Sequence, residues 1–139
     1  ASFEEALHTY LAVKDIHQVV IEGLESAAYI DKVDDMKEKS ATDESIQFSG
    51  ECDRVYLDTT STCILRDPAM ARSMQVSKSN SQCTVFWNPW INKSAAMADF
   101  GNHEWTSMAC IEAANVGSYR RTLKPGESHV MTADVSVIP

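Results

Sequence analysis

The chain has 139 residues, 44% of them hydrophobic and 23% charged, with a formal net charge of −8 at pH 7. That length supports one domain with a real core, and the acidic balance excludes a nucleic-acid binder, which needs a basic face to neutralise phosphate. No apolar run approaches the roughly 20 residues of a membrane helix, so no membrane partner is expected, while two or three local basic side chains could still serve a small anionic ligand.

Residues 3–13 alternate as one long strand. Leu7, Thr9, Leu11 and Val13 share one face, and Ala6, His8, Tyr10 and Ala12 share the other. His8 therefore lies beside an aromatic and small residues, which suits a pocket wall, although a purely structural histidine fits the same pattern. Residues 16–23 read as a second, β-branched strand with His17 at its surface, and residues 27–33 as a short third strand. Residues 34–44 carry charges of alternating sign and read as a solvated loop.

Residues 45–49 alternate, Gly50 punctuates, and Glu51-Cys52-Asp53-Arg54 leads into Val55-Tyr56-Leu57. Asp53 reads either as half of a surface ion pair with Arg54 or as a carboxylate at a strand start that accepts hydroxyl hydrogen bonds. Residues 59–66 hold another strand, Asp67-Pro68 signals a turn, residues 71–78 alternate again, and Ser79-Asn80-Ser81 turns. Cys83-Thr-Val-Phe-Trp87 is strongly β-prone. Asn88-Pro89-Trp90 stops it, because proline cannot donate to a ladder. Residues 91–100 have helical composition over about two turns, and residues 104–108 suit one more. Asp99-Phe100-Gly101 copies a kinase triplet without the motifs that would accompany it.

Residues 108–115, Met-Ala-Cys-Ile-Glu-Ala-Ala-Asn, form an apolar strand in which Glu112 is the only charge. Removing an ionised carboxylate from water is costly, and the usual response is a raised pKa. A general base working near neutral pH needs such a pKa. The plainer reading places Glu112 on the solvent face of an alternating strand. Residues 119–124 are basic and partly exposed, Pro125-Gly126 is a tight turn, and residues 129–138 are a closing strand. About nine or ten short strands at regular spacing predict an all-β fold, an antiparallel β-sandwich or barrel with one or two short helices, in a single domain over residues 1–139.

Cys52, Cys63, Cys83 and Cys110 form no CxxC pair, and a chain of this size does not need disulfides. Buried free thiols and an intracellular, cytoplasmic setting are expected. Asn92-Lys-Ser94 matches a glycosylation sequon, a triplet that recurs by chance. His8, His17, His103 and His129 are scattered without metal-ligand spacing, and no nucleophile elbow, P-loop or dinucleotide fingerprint occurs. What remains is His8, Asp53 and Glu112, an acid/base set suited to moving protons on a sugar.

At this point the chain resembles the hexose-6-phosphate mutarotases (glucose-6-phosphate 1-epimerases) of the aldose 1-epimerase superfamily. The resemblance is carried by Leu7-His8-Thr9-Tyr10-Leu11, Val20-Ile-Glu-Gly-Leu24, Asp53-Arg54-Val55-Tyr56 and Phe86-Trp87-Asn88-Pro89-Trp90. Lys93, Met97-Ala-Asp-Phe-Gly101, Cys110-Ile111-Glu112 and Leu123-Lys-Pro-Gly-Glu127 follow in family order. It implies a galactose-mutarotase-like supersandwich, of which this chain matches the C-terminal half. It also implies that His8 is the general acid, Glu112 the general base, Asp53 the carboxylate that holds sugar hydroxyls, and Trp87 part of the pocket wall. The implied substrate is a hexose or hexose 6-phosphate, with no cofactor. Ala1 aligns near the middle of family members, so the missing N-terminal half would carry the arginines that grip the phosphate. Arg54, Lys93, Arg120 and Arg121 do not replace that grip by any recognisable motif. Two alternatives stay open: a non-catalytic carbohydrate-binding β-sandwich, and a half-domain that adds strands to another chain.

Overall fold

The structure is a computed structural model that describes residues 1–139. Its strands are β1 (Ser2–Phe3), β2 (Glu5–Leu7), β3 (Tyr10–Ala12), β4 (Val20–Glu22), β5 (Tyr29–Asp31), β6 (Lys37–Lys39) and β7 (Ile46–Gln47). They continue as β8 (Cys52–Tyr56), β9 (Cys63–Asp67), β10 (Arg72–Ser79), β11 (Cys83–Asn88), β12 (Met108–Asn115), β13 (Arg121–Thr122) and β14 (Thr132–Ile138). One α-helix, α1 (Trp90–Ala96), and short 3-10 turns complete the chain.

The strands form an antiparallel two-layer sandwich. One sheet runs β14-β10-β9-β4-β7; the other runs β2-β12-β11-β8-β5-β6, with β3 also paired to β12. The small pair β1-β13 stands apart. A core of 20 buried residues fills the space between the layers, with Ile21, Leu65 and Val76 from one sheet meeting Phe86, Ile111 and Tyr56 from the other. Every residue of β12 is buried. Alternate residues such as Ala109 and Ile111 enter this core, while Cys110 packs with Trp87 and Met108 on the opposite face. A strand covered on both sides reads as a continuous apolar run, which is why residues 108–115 show no polar alternation.

Several expected elements differ. Residues 3–13 are three short strands, because Thr9 N–H donates to Leu7 O at 2.8 Å and takes His8 and Thr9 out of the ladder. Residues 16–23 begin with a 3-10 turn, Ile16–Gln18, capped by the Asp15 side chain on His17 N–H, before β4. Residues 34–44 are not all loop: β6 pairs with β5 across a turn with Asp35 and Met36 at φ 51° and 58°. That left-handed pair has the geometry of a hairpin turn. The helix ends at Ala96, earlier than expected, and the closing strand starts at Thr132, not at residue 129. Asp53 does not pair with Arg54. The Arg54 guanidinium lies 4.8 Å from the centroid of the Tyr29 ring, and Asp53 lies 3.8 Å from Lys32. All four cysteines are free and buried, as expected from their spacing. No helix is long and apolar enough to cross a membrane.

Candidate active site

The site occupies the face of the larger sheet that points away from the core. Its geometry follows from strand register. On the edge side of β12, Ala113 pairs with Leu7 and Cys110 pairs with Tyr10. The register is the same on both sides of the β2/β3 break, so His8 comes directly across from Glu112. On the other flank, Glu112 pairs with Val85 and Val85 with Val55. Trp87 pairs with both Cys110 and Asp53. The period-two alternation of strands therefore puts His8, Glu112, Trp87 and Asp53 on one face. They line a cavity of about 710 Å³.

His8 Nδ1 lies 3.0 Å from Glu112 Oε1, with the imidazole half-exposed and the carboxylate side chain 6% exposed. Burial pushes the Glu112 carboxyl up to about 7, the Asp53 charge adds to the rise, and Lys32 opposes it. Burial lowers His8 from its ordinary value, and the Asp53 charge works against that shift. The shifts favour the protonated form of Glu112 and the neutral form of His8, so the proton that the pair shares rests more readily on the carboxyl than on the imidazole. The His8 ring is framed by aromatics: it stacks on Tyr10 with centroids 4.9 Å apart and meets the edge of Trp87 at 5.4 Å. Trp87 is itself braced by Phe100 at 6.1 Å. Asn88 fixes the far end of β11, where its Nδ2 donates to Trp105 O and Met108 O, each at 2.9 Å.

All four residues singled out in the sequence are brought together. Lys32 was not among them. It follows β5 directly, its N–H donates to Asp53 O at 2.9 Å, and its ammonium enters the same cavity. Lying one pleat beyond Ile30, which pairs with Val55, it could have been placed only once β5 was paired with β8. Lys93 of α1 also lines the cavity and pairs with Glu51 at 3.4 Å. Arg54 does not line it.

His8, Cys110 and Glu112 bring one potential metal-ligand atom each to within 4.8 Å of one another. A thiol ligates soft metals as the thiolate. Burial pushes the Cys110 thiol well above its ordinary range, and the Glu112 charge pushes the same way. Cys110 is thus held as a neutral thiol beneath the contact between His8 and Glu112.

The chain resembles known proteins over almost its whole length. It is 37% identical over 138 residues to a protein of Cenchrus ciliaris named "Putative glucose-6-phosphate 1-epimerase", covering 99% of this chain and 42% of that protein. An Escherichia coli K12 protein of the same name is 34% identical, covering 90% of this chain and 42% of its own length. Among solved structures, the "putative mutarotase (YeaD)" of Salmonella typhimurium superposes with a TM-score of 0.91 at 28% identity, covering 99% of this chain and 46% of that one. The chain thus spans less than half the length of the relatives it matches. The family model described as aldose 1-epimerase matches residues 1–136, which leaves almost nothing of the sandwich outside it, and this protein belongs to the aldose 1-epimerase family.

Proposed function

We propose that this chain carries the acid/base machinery of a mutarotase that interconverts the α and β anomers of a hexose 6-phosphate, glucose 6-phosphate first among them. The observation that carries the reading is the contact between His8 and a buried Glu112 whose carboxyl titrates near neutrality. A pure sugar binder has no use for a matched acid and base. The names borne by the relatives support the phosphorylated substrate.

In the proposed reaction, Glu112 takes the proton from the anomeric hydroxyl. The C1=O1 double bond forms, the C1–O5 bond breaks, and the leaving ring oxygen takes a proton from His8. Rotation about C1–C2 turns the aldehyde over. O5 then attacks the other face of C1, its proton returns to His8, and Glu112 gives its proton back to O1. Both reacting oxygens are attached to one carbon, so acid and base must lie close together, as His8 and Glu112 do. Asp53 accepts hydrogen bonds from sugar hydroxyls, and its charge holds Glu112 basic enough to act. Trp87 offers an apolar wall to the sugar's C–H face.

Exchange between the α and β anomeric signals of glucose 6-phosphate and of glucose, followed by NMR with this chain present, tests the reading. Accelerated exchange with the phosphorylated sugar is the expected result. Acceleration with glucose alone would replace the phosphate with a neutral hexose. Saturable binding without acceleration of either would make the chain a carbohydrate-binding sandwich.

A further inference from the structure

The aromatic side chain beside the proposed acid has a geometry that its strand does not require. Tyr10 opens β3 two residues after His8, on the same face of the sheet, and their rings lie almost parallel, 12° apart, at 4.9 Å. Trp87 meets both edge-on, His8 at 87° and Tyr10 at 81° with 5.9 Å between the last two centroids. The backbone at His8 has left the β ladder, and the ring contacts with Tyr10 and Trp87 are what hold the plane of its imidazole. Tyr10 is 51% exposed and adds little to the core.

We propose that Tyr10 is a positioning residue for this site: its ring fixes the plane of the His8 imidazole so that Nδ1 faces Glu112, and its π face stabilises the imidazolium form that acts as the acid. A cation over an aromatic face is favoured by the ring quadrupole. Tyr10 does not act as a base. Burial raises its hydroxyl, with Cys110, Glu112 and Asp99 adding to the rise, so it stays protonated. The other titratable groups around His8 are Glu112 and Cys110 from β12, Asp53 from β8 and Lys32 beyond β5, with Glu4 and Lys93 further along the cavity. None of these is changed by replacing Tyr10.

The activity arm of the test rests on the mutarotase reading; the spectroscopic arm does not. Tyr10→Leu and Tyr10→Phe are compared with the parent chain after circular dichroism shows the same fold. The His8 ring protons are titrated by NMR without sugar. Tyr10→Leu is expected to lose the ring-current shift of His8 and to lower its titration midpoint by about half a pH unit, while Tyr10→Phe keeps both. With glucose 6-phosphate, Tyr10→Leu is expected to lower kcat about 10-fold with KM nearly unchanged, and Tyr10→Phe to restore it. An unchanged His8 titration in Tyr10→Leu overturns the proposal. So does a Tyr10→Phe variant as impaired as Tyr10→Leu, since that assigns the effect to the hydroxyl. If no variant and no parent chain turns over sugar, the mutarotase reading fails, and the His8 titration still decides the stack.

Discussion

Glu112 sits between Val85 on β11 and the His8 junction, where its side chain is 6% exposed. The folded chain holds its proton up to about pH 7, whereas the unfolded chain releases it near 4.5. The folded state therefore binds more protons between those values, and stability falls as pH rises through that window, by up to roughly 3 kcal/mol. Glu112→Gln removes the dependence. Its urea midpoint is expected to change less between about pH 5 and pH 8 than that of the parent, and to be higher at the alkaline end; parallel curves for the two proteins would refute the assignment. The same variant is expected to lose at least ~100-fold in mutarotation rate. His8→Ala is expected to lose as much activity while changing stability by only about 0.5 kcal/mol, because its ring is half-exposed; thermal unfolding beside the anomer-exchange assay separates the two effects. Glu112 was conspicuous as a lone charge in an apolar strand and alternation gave His8 a face, but the pattern left a solvent-facing Glu112 and a structural His8 open, and the acid and base roles came from the family resemblance. Lys32 was not legible, because its place beside Asp53 depends on a strand pairing that no local pattern encodes.

The elements show where local pattern stops being sufficient. β10, β11 and β12 match their sequence signals within a residue or two, since long β-prone runs with clear breakers such as Pro89 leave little choice. Residues 3–13 keep their expected alternation of faces yet break at His8, and a periodicity argument sees faces without seeing breaks. The β5/β6 hairpin was hidden because its turn carries Asp35-Met36 and lacks the Asn-Gly or Asp-Gly pair that announces such turns. Gly23 closes β4 for a reason that can be tested. It has φ +108°, and a Cβ there would stand 2.2 Å from Thr62 O, backbone that cannot give way easily. Gly23→Ala is expected to cost at least ~2 kcal/mol in chemical denaturation. Gly50→Ala has nothing within 4 Å of the added carbon, and should change stability by less than about 0.5 kcal/mol. Equal effects at the two positions would sink the argument from close approach.

At the scale of the whole molecule, burial is uneven. β10 places Met74 and Val76 in the core, and the residues opposite them on β14, Val137 and Val135, share that face. There they stand 62% and 41% exposed, and Val130 in the approach to the strand is 66% exposed. β14 is also the end of its sheet, so a seven-residue strand offers one row of backbone donors and acceptors with no neighbour. A long apolar edge of this kind is a template for pairing with another strand, and the net charge of −8 opposes association only weakly at moderate salt. The chain is therefore expected to self-associate with rising concentration and salt. Val137→Lys, which sets a charge on the open face without removing a core side chain, should shift sedimentation toward the monomer while thermal stability changes by no more than about 0.5 kcal/mol. A parent chain that stays monomeric at every concentration would show that twist or side-chain cover already protects this edge. A Val137→Lys variant that unfolds would show that Val137 belongs to the core despite its exposure.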